Sequence, residues 1–191
     1  MCASSTNRPD PADRIQTAKA LYQSGRTQEA EQIFRDMVDR DHANGEAMGL
    51  LALIELQHGK LNKAKQLWKR SLRNPSPAWI FLSNLHNLLK VLLKEGAKPE
   101  AIRQAEMGVP AWPAIRVPNP EEKRMLLSLV DILTLLDQID SAARLLESLV
   151  TCLPREAGLL YALGRLQMLK GDIASAWQTL SEADKALQPK L

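Results

Sequence analysis

Apolar residues recur along this chain at intervals of three and four, not two. Met48, Leu51, Ala52 and Ile54 mark one face of a helix within residues 47–57. Leu126, Leu129 and Val130 do the same further on. No stretch alternates apolar and polar residues for the length of a strand, so the pattern predicts an all-α protein. Landmarks recur on a longer period. Gly25, Ala30 and Phe34 return as Gly59, Ala64 and Trp68, with one and the same offset at all three positions. A third copy supplies Gly96 and Ala101, a fourth Asp137, Ala142 and Leu146, and a fifth Gly171, Ala176 and Leu180. A fixed period of this length marks a repeat architecture.

Each landmark has a physical task. The glycine closes one helix in a left-handed conformation that a Cβ disfavours. The alanine that follows it sits where the second helix crosses the first closely. The large residue one turn beyond shares the alanine's face and fills the next gap. Each unit therefore reads as helix, tight turn, helix.

These residues make the chain resemble the tetratricopeptide repeat (TPR) family, whose helix pair carries a small residue in the first helix and an A-x3-F element in the second. The fifth copy matches through Leu160, Leu163 and Gly164, then Ala176 and Leu180. The fourth matches through Leu126, Leu129, Val130, Ala142 and Leu146, and the second through Met48, Leu51, Ala52, Ala64 and Trp68. Copies one and three are more degenerate, with Arg14 and Thr17 in place of large apolar residues and Ala105 where the large one belongs. The resemblance spans about residues 11–188. It implies a right-handed α-solenoid of about five helix pairs. Ala101 and Ala142 stand further apart than one period, and the excess falls in Gly108–Pro120, which contains four prolines. Such a segment cannot continue a helix, so a proline-rich break is expected after the third repeat. The expected organisation is a loose tail over residues 1–10, repeats 1–3 over 11–107, the connector over 108–120 and repeats 4–5 over 121–191, forming one continuous solenoid domain. Asp10 and Pro11 read as N-cap and first residue of the opening helix.

Composition narrows the possibilities. Aromatic residues are 4% and charged residues 25% of the 191. That balance fits a helical protein with a packed interior and not a disordered chain. The opening residues carry no apolar stretch of the kind a secretory signal needs. The longest mostly apolar run, Met125 to Leu136, is too short to cross a bilayer and contains Asp131. Cys2 and Cys152 build no disulfide framework. A cytoplasmic protein without membrane insertion is expected. The net charge of +3 hides an uneven distribution. Residues 60–103 hold 10 basic and 2 acidic side chains, while both flanking regions are acidic. A basic band of this kind attracts an anionic partner.

Catalytic chemistry is not expected. His42, His58 and His86 occupy different places in their repeats, no H-x3-H or CxxC spacing occurs, and no glycine-rich phosphate loop is present. Neither cofactor nor metal is called for. Nucleic acid is not the expected partner either, because stacking aromatics do not interleave with the basic residues. The resemblance implies instead a concave groove, lined by the first helix of each pair, that holds a peptide or helix of another protein. Register places Lys19, Tyr22, Leu53, Leu56 and Gln57 there from the first two copies. From the later copies come His86, Lys90 and Lys94, Arg124 and Asp131, and Tyr161, Arg165 and Met168. His86, Lys90 and Lys94 stand at i, i+4 and i+8 on one helix and form the expected basic centre for an acidic and apolar segment. The carboxylate clamp of TPR co-chaperones is not expected, because Ile15, Lys19 and Leu50 stand at its places. The expected function is a non-catalytic adaptor or assembly factor. The alternative is a regulatory or substrate-recruiting module of a larger enzyme or complex. A monomer is expected, with self-association through the groove or terminal pair as the other option. Trp112, between Pro110 and Pro113, reads as a plug folded back on the array or as an exposed anchor, with packing the favoured reading, and Trp177 reads as a cap on the last helix pair.

Overall fold

A computed structural model of the chain describes residues 10–113 and 116–187. Among the described residues there are ten α-helices and no strand: α1 (Pro11–Gln23), α2 (Thr27–Arg40), α3 (Gly45–Gln57), α4 (Leu61–Leu72), α5 (Ala78–Lys94), α6 (Lys98–Glu106), α7 (Pro120–Leu135), α8 (Ile139–Cys152), α9 (Ala157–Leu169) and α10 (Ile173–Leu187). They form five helix pairs, and the fold is an all-α helical repeat of the solenoid class. Asp10 caps α1 by accepting from the Ala12 N–H at 3.1 Å, with Pro11 at the first helical position. Asn119 and Glu122 form a capping box at the start of α7, so Glu122 does more there than complement the helix dipole.

The turn inside each pair is the same local structure five times over. Arg26, Lys60, Ala97, Gln138 and Asp172 each donate their N–H to the carbonyl five positions back, at 2.8–2.9 Å. This is the Schellman closure, and its left-handed residue is Gly25, Gly59, Gly96 or Gly171 in four turns. In the remaining turn Asp137 holds a φ of +61°. A left-handed conformation costs a residue with a Cβ roughly 1 kcal/mol. Gly59→Ala, whose Cβ would meet nothing within 4 Å, is therefore expected to lose about 1 kcal/mol through backbone strain alone. Asp137→Gly is expected to gain about 0.5–1 kcal/mol. Urea unfolding of the two variants checks the opposite signs.

The repeat alanines Ala30, Ala64, Ala101, Ala142 and Ala176 are all at most 1% exposed, as their place at the helix crossing requires. The chain divides into two compact units at Ser76 and Pro77. That boundary precedes α5, whereas the proline-rich segment lies inside the second unit. In the first unit α1 packs on α2, α2 on α3 and α3 on α4. Its core joins Ile15 and Ala18 to Phe34, Met37, Val38, Met48, Leu51 and Ile54. Trp68 of α4 is wholly buried. In the second unit α5 packs on α6 and α7, and α7 to α10 stack in chain order.

The described part of the proline-rich connector holds no helix and is tied to its own unit. Trp112, 2% exposed, donates its backbone N–H to Ser148 Oγ on α8 at 2.9 Å and its indole N–H to the Arg116 carbonyl. The Arg116 guanidinium lies between two indoles, 4.8 Å from the Trp79 ring and 5.0 Å from that of Trp112, and also reaches Glu122 Oε1 at 2.5 Å. Trp112 is thus a packed plug.

Candidate partner-binding faces

The leading helix of each pair carries the residues that register assigns to partner binding. In the first unit these residues engage one another. Lys19 of α1 forms an ion pair with Glu46 of α3, and Gln57 Nε2 of α3 donates to Tyr22 Oη of α1 at 2.6 Å. Leu53 and Leu56 are half-buried between these polar links. The face is therefore internally satisfied in charge, with two leucines at partial exposure. An apolar contact suits it better than an ionic one.

The second unit differs. His86 lies beneath its face, 8% exposed, with Nε2 3.1 Å from Ser128 Oγ on α7. The sequence spacing puts it in line with Lys90 and Lys94, but each i to i+4 step turns around the helix axis by about 40°. His86 ends about 80° away from Lys94 on that geometry, toward α7. Lys90 and Lys94 are exposed, and neither forms an ion pair among the described residues. Arg124, Asp131 and Arg165 are likewise exposed and unpaired among the described residues. The side chains placed here thus offer a basic excess with no internal counter-ion.

Burial lowers the pKa of the His86 imidazole, the Lys90 charge lowers it further, and a hydrogen bond with Asn87 opposes both. The folded protein therefore holds His86 neutral where the unfolded chain, with an ordinary pKa of about 6.5, begins to take up a proton. Stability is then fully present above that value and falls as pH drops through it. Thermal unfolding should give a midpoint that is flat above about pH 7.5 and declines between about pH 7 and pH 5. His86→Gln should remove most of that decline.

Tyr161 and Met168 look toward the trailing helix of their own pair. The Tyr161 hydroxyl donates to Asp184 of α10, and this bond raises the hydroxyl's pKa. Both residues line a cleft of about 460 Å³ with Ile173, Trp177 and Leu180. Trp177 does not cap the pair. It is 74% exposed, the largest bare apolar side chain among the described residues. The sequence holds the signal for this: the equivalent position one repeat earlier is Ala143, which is 1% exposed. Trp79 and Arg116, which pin the connector, are not marked by the sequence in the same way. Nothing in the repeat pattern reports on residues that stand outside it.

Elsewhere the basic band of α4 is partly consumed within the first unit. Lys60 Nζ lies 3.4 Å from the buried Glu55 carboxylate, and Arg70 Nη2 donates to the His42 carbonyl at 3.4 Å. Among the described residues no group of three or more His, Cys, Asp or Glu side chains could hold a metal ion. No described helix is long and apolar enough to cross a membrane.

Five helix pairs closed by one turn geometry define an α-helical repeat protein. Residues 21–74 match the family described as tetratricopeptide repeat, and solved TPR proteins share the fold. The family match thus covers the segment from the end of α1 to the end of α4, and the remaining helix pairs are similar to these proteins in fold. YrrB, solved as "a TPR protein with an unusual peptide-binding site", is 17% identical with a TM-score of 0.50, over 95% of this chain and 88% of that one. The structure of Naa15/Naa10 bound to HypK-THB gives a TM-score of 0.60 at 17% identity, over 94% of this chain but only 26% of that one. At these identities the likeness establishes the fold alone. No curated protein sequence matches the chain.

Proposed function

We propose that the protein is a non-catalytic adaptor or assembly factor that captures an acidic and apolar segment of another protein on its leading-helix faces. The observation that carries this reading is the pair Lys90 and Lys94, exposed on α5 without an ionic partner among the described residues. In the first unit Lys19 is neutralised by Glu46. Unpaired cations on an otherwise apolar leading helix cost little in the free protein. They steer an anionic segment toward the face and set its register.

Affinity capture from native lysate at two salt concentrations tests the reading, comparing the intact chain with Lys90→Glu/Lys94→Glu. The double variant is expected to retain its helical circular dichroism and to lose at least tenfold of the principal captured protein. Raising the salt to about 0.5 M shortens the screening length to a few ångströms and should weaken capture by the intact chain. Equal recovery by both chains at both salt concentrations removes the proposal. An enzyme as the principal captured protein would assign the chain to the role of a recruiting module.

A further inference from the structure

The open face of α10 continues a packing interface that the second unit has already used once. Within that unit α9 lies on α8, and Ala143 and Leu146 of α8 are buried to 1% or less. The side of α9 turned away from α10 is also buried, through Leu159, Leu163 and Leu166. One repeat on, Trp177 and Leu180 of α10 hold the register positions of Ala143 and Leu146, and Ile173 holds that of Ile139. Here the same stripe is open: Ile173 is 55% and Trp177 74% exposed, and the cleft they share with Met168 measures about 460 Å³. The one charged group lining it, Asp184, already accepts the Tyr161 hydroxyl. An apolar wall of this size, with a bare tryptophan at its centre, marks an interaction surface.

We infer that this face docks an amphipathic α-helix of a partner protein, one with large aliphatic residues at i, i+4 and i+7 and no charge on that side. The occupant is a helix because α8, which carries the equivalent positions, packs against one, α9, whose Leu159, Leu163 and Leu166 are buried and stand at this spacing. A second copy stacked head to tail does not fit. The residues of α1 in register with those three are Asp13, Thr17 and Ala20, and all three are exposed. The α10 face thus captures a helix independently of the basic face of α5, and the protein bridges two ligands.

A fluorescein-labelled peptide carrying residues 155–170 of this chain serves as the probe, because it contains the helix that covers the equivalent face. Fluorescence anisotropy with the full chain should show saturable binding. Trp177→Glu should weaken it at least tenfold, and Ile173→Glu should do likewise. Both positions are exposed, so circular dichroism should show unchanged helicity. Lys90→Glu/Lys94→Glu should bind the probe as the parent does, which separates this site from the adaptor face. The inference is overturned by a probe that fails to saturate, or by one whose binding ignores both glutamate substitutions. It is equally overturned if sedimentation equilibrium shows a dimer that Trp177→Glu dissolves, since the face would then belong to a second copy.

Discussion

Trp68→Ala is expected to cost about 3–5 kcal/mol, while Trp68→Phe costs far less. Trp68 has no exposure, and its ring fills the gap beside Ala64 at the centre of the first unit's second helix pair. Truncation there removes the contacts of a large aromatic and leaves a cavity that the rigid α3–α4 crossing closes only in part. Phenylalanine loses some of the same area but also removes a liability, because the buried indole N–H has no hydrogen-bond acceptor. An unsatisfied buried donor costs about 1–3 kcal/mol, which offsets much of the lost volume. The first repeat carries Phe34 at this register, also fully buried, so the phenylalanine ring suits the site. Urea unfolding of both variants measures the difference. Equal losses would mean that the indole N–H finds a partner, most simply a water.

Opposite signs are expected at two glycines of the same helix. Gly158 in α9 has open space where a Cβ would stand, whereas a Cβ at Gly164 would come within 2.8 Å of Leu180 Cγ and Cδ2. Gly158→Ala should therefore show the ordinary helix-propensity gain of about 0.5–1 kcal/mol. Gly164→Val should lose about 1–3 kcal/mol by overpacking, because Cγ is not the free end of the leucine and α10 must move with it. Adding Leu180→Ala should recover part of the loss. A double-mutant cycle is then expected to show coupling of at least about 1 kcal/mol between two residues in direct contact. Additive losses would mean that α9 and α10 separate freely and that the close crossing does not organise the pair.

The two glycines show why much of this fold is legible in the sequence. The small residue of the leading helix, the left-handed turn residue and the buried alanine are local demands of one helix pair. They recur wherever the pair recurs, even where Asp137 replaces the glycine. The faces are legible only in part. Lys90 and Lys94 emerge exposed because nothing in their own repeat covers them. His86 shares their spacing but is buried against Ser128 of the following helix pair, and such a distant partner leaves no mark on a local pattern. The Arg116 guanidinium between Trp79 and Trp112 joins an irregular segment to the start of α5, outside any period. A tryptophan beside a core alanine suggests packing, which is why Trp177 reads as a cap in the sequence. Its exposure follows from what lies on α10, and the comparison with Ala143 one repeat earlier is the one sequence feature that bears on it. The division at Ser76 and Pro77 likewise depends on the distribution of contacts and not on proline content.

The most direct measurement places a photoreactive amino acid at position 90, irradiates the full chain in native lysate, and identifies the cross-linked peptides by mass spectrometry. Position 63, on the basic band of α4 and equally exposed, serves as the comparison. Cross-links from position 90 to acidic segments of one principal protein, diminished at high salt and absent from position 63, are the outcome that follows from capture on the α5 face. Cross-links that are the same from both positions, or that arise from position 63 alone, would contradict it and move the contact to the α4 side.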